Sequence, residues 1–179
     1  MSLYINLSIH GYSKVYIYIG IGIGRWKMMR KDIYDTNYER IIELIPDLTS
    51  LKIGDYRKSE APGFMDLHLD ILDKNESEMK IALSHNYKQN GDTMADPDME
   101  IRVYLIDGWR KAEALTYQQD GLGLYQEVYP SQGYVRPKLK TQLNSFLRQW
   151  LINLKHQGHS LMKQEDDQPT DWGQAVLNI

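Results

Sequence analysis

The residues best suited to chemistry fall into three groups. Asp66-Leu67-His68-Leu69-Asp70 sets two carboxylates and an imidazole at alternate positions. On a strand these side chains share one face, about 7 Å apart. Two carboxylates around an imidazole can hold a divalent metal or serve as acid and base. His85, on the strand expected to return beside this one, adds a fourth group if the register allows. The plain alternative is a solvated strand face, where Asp and His are ordinary. Arg102, Tyr104 and Glu113 form the second group. With Met99, Ile101, Val103 and Leu105 turned to a core, Glu100, Arg102 and Tyr104 point to the other side, and Glu113 lies on the facing strand. Arg102 is then a fork for a carboxylate or phosphate. Otherwise it is half of a cross-strand ion pair with Glu113, worth under about 1 kcal/mol if exposed. The third group is cationic: Lys138, Lys140, Arg148, Lys155 and His156, with Tyr125, Tyr129 and Tyr134 upstream as faces on which bases can stack. Arg102, Tyr104, Glu113, Lys140 and Arg148 are the candidate ligand-binding residues. No catalytic residue is assigned.

Many standard chemistries have no footing here. There is no cysteine, which excludes disulfides, thiolate nucleophiles, and Cys-ligated zinc or iron–sulfur clusters. No phosphate-binding G-x-x-x-x-G-K-[ST] loop, H-E-x-x-H helix or G-x-S-x-G elbow occurs. Gly20-Ile21-Gly22-Ile23-Gly24 has the wrong spacing for a dinucleotide loop. No cofactor is expected. Nor does any apolar run approach the roughly 20 residues that cross a bilayer, so no membrane partner is expected and a cytoplasmic address is the expectation.

The 21 Lys and Arg against 24 Asp and Glu hide an uneven distribution. Residues 28–127 hold 20 acids against 12 bases, whereas 128–164 hold six bases and no acid. A cationic block on an anionic body attracts an anionic partner, or complements the acidic body across an internal interface.

The elements that position these groups follow from periodicity. Residues 1–27 alternate Val and Ile with Tyr and Gly, a strand-like pattern weakened by its glycines. They read as an extension, with the native start expected at Met28 or Met29. Residues 28–159 form the expected domain, and 160–179 an acidic tail expected to be disordered. Thr36-Asn37-Tyr38-Glu39 fits a capping box, followed by Ile41, Ile42 and Ile45 at helical spacing and stopped by Pro46. Strands are expected weakly over 51–56, then from Met65 through Leu67, Leu69 and Ile71, from Met79 to His85, from Met99 to Leu105, from Trp109 to about Gln118, and over 124–129. Polar Lys88 to Asp98 reads as a loop, and Asp107-Gly108 as the strongest hairpin turn. Leu139, Leu143, Phe146, Leu147, Trp150, Leu151 and Leu154 mark a long helix, with Arg148, Lys155 and His159 opposite and Gly158 as its cap. The fold class is α+β: an antiparallel sheet of about five strands between an N-terminal amphipathic helix and a long C-terminal one.

Pro97-Asp98-Met99-Glu100-Ile101-Arg102-Val103-Tyr104, with Asp107 and Ala112-Glu113-Ala114, resembles the central motif of the YqiB-like bacterial proteins. Tyr129-Pro130, then Gln142-Leu143-Asn144-Ser145-Phe146-Leu147 and Trp150-Leu151, is similar to that family's C-terminal motif. The resemblance spans about Asp32 to Gly158 and includes neither terminus. The family has an acidic pair and a Lys before the last helix where this chain has Lys138-Leu139-Lys140, so no role of those acids carries over. The family's function is unknown, so the resemblance implies no reaction.

The function expected is a non-catalytic binding or regulatory module that works through a protein partner, given the abundance of Tyr and Trp. The alternative is an anion binder, for RNA or a phosphorylated metabolite, through the basic C-terminal helix and Arg102. A third is a metal-dependent hydrolase built on Asp66, His68, Asp70 and His85.

Overall fold

The computed structural model describes residues 31–106 and 108–162. The alternating segment 1–27, Asp107 of the expected turn and the acidic residues of the tail lie outside them. The elements run α1 (Ile33–Leu44), β1 (Tyr56–Ser59), β2 (Leu67–Lys74), β3 (Glu78–Gln89), β4 (Asp92–Tyr104), β5 (Ala112–Ala114), β6 (Thr116–Gln119), β7 (Leu124–Glu127) and α2 (Pro137–Gln157). Among the described residues every strand pairing is antiparallel, in the order β1-β2-β3-β4-β6-β7, with β5 also on β4.

Register explains the core. Leu69 pairs with Leu83 and Leu83 with Met99; Ile71 pairs with Ile81 and Ile81 with Ile101. The alternating apolar residues of three strands therefore form continuous rows, and Leu69, Leu83, Met99, Ile81 and Ile101 have no exposed surface. Truncating any one to Ala removes about 2–5 kcal/mol. Leu143, Leu147, Leu151 and Leu154 of α2 join Ile41 and Leu44 of α1 in the same cluster. Ala112 and Ala114 of β5 are fully buried and touched by both helices. Their small side chains allow that close approach.

Several expectations are corrected. Among the described residues the sheet has seven strands, because the run from Trp109 breaks at Leu115 into β5 and β6. Pairs Ile101–Ala114 and Asp98–Gln118 are one residue out of step, which places a bulge there. Lys88 to Asp98 is no loop: it is the far half of the β3–β4 hairpin. Asn90 and Gly91 take φ of 53° and 93°, the two positive angles of a type I′ turn. Asp96 and Pro97 together oppose His85, a bulge where a strand proline is tolerated. The strand expected from Met65 starts at Leu67, and the weak one over 51–56 forms only from Tyr56. Helix α1 begins at Ile33, so Thr36 lies inside it and forms no capping box. Phe146 is 39% exposed rather than core. The expected α2 stop holds, with Gly158 at φ 87°.

His159 and Leu161 also differ from the reading of an exposed histidine and a loose tail. Both are buried, and the Leu161 N–H donates to Leu44 O. Arg57 donates to both Asp47 carboxylate oxygens and to Leu161 O, each at 2.6 Å, which fastens this segment to β1.

Candidate functional site

The Asp66–Asp70 constellation divides between partners and faces. Asp66 precedes β2, and its carboxylate lies 2.8 Å from Lys58 Nζ. That ammonium's hydrogen bond holds the exposed Asp66 below the usual carboxylate range. His68 Nδ1 is 2.6 Å from the Tyr56 hydroxyl. His85 pairs with Leu67 and so faces the core, donating through Nδ1 to Asp66 O at 2.9 Å. His85 therefore points away from His68 and Asp70. Among the described residues, no three His, Asp or Glu side chains are grouped to hold a metal ion.

The second group comes together, with a third-group residue added. Arg102 and Glu113 are cross-strand partners, as the alternation implies. Beyond Leu115 the sheet continues as β6, so β5 presents a free outer edge, and α2 lies along it. The Ala114 N–H on that edge donates to Asn144 Oδ1 at 3.1 Å, and Asn144 Nδ2 returns to Lys140 O at 2.8 Å. One turn earlier on α2, Lys140 Nζ reaches Glu113 Oε1 at 2.7 Å and the Tyr129 hydroxyl at 2.7 Å. Tyr129 donates to the same carboxylate oxygen at 2.5 Å, and Tyr104 donates to the other at 3.3 Å. The Glu113 side chain is 4% exposed. A buried carboxylate is tolerable here because these donors occupy both of its oxygens.

Burial and neighbouring charge act on these groups in opposite directions. Burial pulls the Lys140 ammonium down, but its bonds to Glu113 and Tyr129 outweigh that and raise it above the ordinary lysine range. Burial raises the Tyr129 phenol, the bond to Glu113 adds to this, and Lys140 opposes it. Arg102 is pulled down by burial and raised on balance by Tyr104 and the charge of Glu78, whose carboxylate sits 3.2 Å from its Nε. The expected Arg102–Glu113 ion pair is thus replaced by Arg102–Glu78 and Lys140–Glu113. Lysine kept as an ammonium is no base, and both oxygens of Glu113 are occupied by donors.

Around this knot lies an aromatic rim. Lys140 Nζ is 5.5 Å from the Tyr34 ring centroid and 5.4 Å from that of Tyr129, and the Arg102 guanidinium is 5.9 Å from Tyr129. Trp109, 54% exposed, stands edge-on to Tyr104 with centroids 5.8 Å apart. Lys111 pairs with Asp35 at 3.2 Å. Arg148 takes no part: it is exposed on α2 and makes no ion pair among the described residues. Asn144 and Tyr34 escaped selection by sequence. Asn144 stands in the C-terminal motif only as an amide beside Leu143, at the margin of the apolar arc.

A family model described as Domain of unknown function (DUF6908) matches residues 36–160, well over half of the chain, so the chain belongs to that family. The matched span lies close to the 32–158 over which the sequence resembles the YqiB-like proteins, but the match is to the domain and does not bear on that resemblance. No curated protein and no solved structure matches.

Proposed function

We propose that this member of the DUF6908 family is a non-catalytic binding module whose working face is the rim of Trp109, Tyr104, Tyr129 and Tyr34 around Arg102 and Lys140, and that its partner is a protein. The single observation that carries the reading is the internal pairing of the cations. Lys140 is committed to Glu113, Arg102 to Glu78 and Lys111 to Asp35. The face is therefore close to neutral and rich in Tyr, Trp and Arg, the residues that dominate interface energetics. An exposed Trp beside it suits an apolar pocket on the partner.

The anion-binding reading has less to draw on. Lys140 is spoken for, Lys155 pairs with Glu43 at 2.8 Å, and Arg136 donates to Glu127 O at 3.3 Å. Among the described lysines and arginines of the C-terminal helix, exposed Lys138 and Arg148 are left, half a helix apart.

The test is purification with associated proteins from producing cells, then reconstitution of the complex from its separated components. Trp109→Ala should weaken that complex about tenfold or more. The charge reversals Lys138→Glu and Arg148→Glu should leave it intact, and added salt should change it little. The reading fails if the charge reversals abolish binding while Trp109→Ala does not, or if only bare monomer is recovered.

A further inference from the structure

Past the end of α2 the chain turns back at Gly158, and residues 159–162 are fastened to the body by a few bonds. The His159 N–H donates to Leu154 O, the Ser160 N–H to Ser59 Oγ and the Leu161 N–H to Leu44 O, while Leu161 O accepts from Arg57. This strap ties the ends of α1 and α2 to β1. Leu161 is buried, whereas Met162 beside it is 59% exposed.

At the root of the strap two imidazoles meet. His159 and His85 of β3 are both buried, with ring centroids 5.6 Å apart, and His85 stands edge-on to Trp150 of α2 at 5.5 Å. One nitrogen of each ring is anchored: His85 Nδ1 donates to Asp66 O at 2.9 Å, and His159 Nδ1 lies 3.2 Å from Ser59 Oγ. His159 Nε2 is buried with no hydrogen-bond partner among the described residues. An imidazolium carries a proton on both nitrogens, so the charged form has no acceptor for one of them.

The charges around the pair do not compensate. The Asp66 carboxylate favours protons on both rings, but Lys58 Nζ lies 2.8 Å from it. Asp96 of β4 also favours a proton on His85, and His68 of β2 opposes it. On the helix side Arg40 adds a cation, Glu43 pairs with Lys155 at 2.8 Å, and Arg57 pairs with Asp47 at 2.6 Å. The C-terminal ends of both helices favour an imidazolium. Their field is reduced because Leu44 O, Leu154 O and Lys155 O already accept from Leu161, His159 and Gly158. Burial prevails and lowers both rings, and His85 lowers His159 further.

We propose that residues 159–162 are a proton-released strap: a second proton on His159 drives its ring out from beside Ser59 and His85, and the fastenings open with it while the sheet stays folded. Opening takes Leu161 out of the core and frees Arg57 from its carbonyl, so that the chain departs from the body at Gly158. Few bonds hold the strap and many hold the sheet, so the strap opens at the lower cost. Once open, His159 titrates near its ordinary value of about 6.5. The closed form is therefore fully present above that pH and is lost as pH falls towards the lower value of the closed state. Each proton taken up raises the opening constant by up to about tenfold per pH unit in that window. The strap lies about five turns along α2 from Lys140, and the proposal does not depend on the function proposed above.

The chain has no cysteine, so Met162→Cys gives a single attachment point for a nitroxide in the full protein. Between about pH 7.5 and 5, electron paramagnetic resonance is expected to show a mobile component that grows reversibly, by up to about tenfold per pH unit, while circular dichroism stays unchanged. His159→Gln should remove most of that slope, whether its strap is closed or loose, and His68→Gln should behave as the parent. Nuclear magnetic resonance of the side-chain nitrogens should show His159 becoming charged with the same midpoint as the label becomes mobile. The proposal is overturned by a label that stays immobile while His159 becomes charged, by mobility gained only together with loss of the circular dichroism signal, or by a slope in His159→Gln equal to the parent's.

Discussion

The pairing of Glu113 with Lys140 is the interaction on which the description of the site depends, and its strength can be argued from exposure. The Glu113 side chain is 4% exposed and that of Lys140 27%. An exposed ion pair is worth less than about 1 kcal/mol, whereas removing one partner of a buried pair costs about 3–5 kcal/mol. Lys140→Met strands the carboxylate in the drier position with only two phenols to serve it, and should cost about 3 kcal/mol. Glu113→Gln keeps the shape and an acceptor for Tyr129, and leaves behind the ammonium that water reaches more easily. Its cost should be about 2 kcal/mol. With both changes no charge remains unpaired, so the double variant should cost about 2 kcal/mol rather than the sum, a coupling of about 3 kcal/mol. Urea unfolding of the four proteins at neutral pH, followed by circular dichroism, reads these differences directly. Costs that add to within about 0.5 kcal/mol would show the pair to be worth no more than a surface bridge. A larger loss from Glu113→Gln than from Lys140→Met would refute the ranking by burial.

Burial lowers His85, and burial together with His85 lowers His159, so below about pH 6.5 the unfolded chain binds protons that the folded chain resists. Stability is then fully present above that pH and falls as pH drops towards the lower folded values; urea midpoints through this window should fall less in His159→Gln than in the parent. Asn144→Leu leaves the Ala114 N–H on the β5 edge without its acceptor and the Asn37 amide with only the main-chain O of residue 144, and should cost about 1–3 kcal/mol by the same assay. Gly91→Ala puts a Cβ on a residue at φ 93° and should cost about 1–2 kcal/mol in urea, whereas Gly91→Asn should cost less.

Legibility of the fold followed a simple physical line. Where one face is buried and the other wet, as along Leu67-Leu69-Ile71, Met79-Ile81-Leu83 and Met99-Ile101-Val103, the alternation is visible and the strands follow it. From Asn86 to Met94 the same strands have no buried residue, and burial resumes only at Ala95 and Pro97. Lys88 to Asp98 then reads as polar loop although its hydrogen bonds continue, and the Asn90-Gly91 pair was the signal that should have prevailed. Bulges are the other blind spot. Leu72, 42% exposed, and the break at Leu115 are each one residue out of phase, and an extra residue leaves no mark in composition.

The candidate site was half legible for a related reason. Period-two spacing put Arg102 beside Glu113 correctly, because cross-strand neighbours on one face follow from register alone. It could not say which charges pair, since that depends on where α2 crosses the β5 edge. That crossing is set by Asn144, whose side chain takes the Ala114 N–H on the free edge of β5, bonds Asn37 of α1, and returns to Lys140 O. Once Asn144 is fixed there, Lys140 one turn earlier meets Glu113, and Arg102 is left to Glu78. The same logic separates His85 from the carboxylates it stood near in the sequence: odd and even positions of neighbouring strands face opposite ways, and His85 shares the parity of Leu83. A buried amide on a sheet edge thus decides how the charged residues above it pair, and with that whether the face offers a partner free charge or, as here, paired charge framed by aromatic rings.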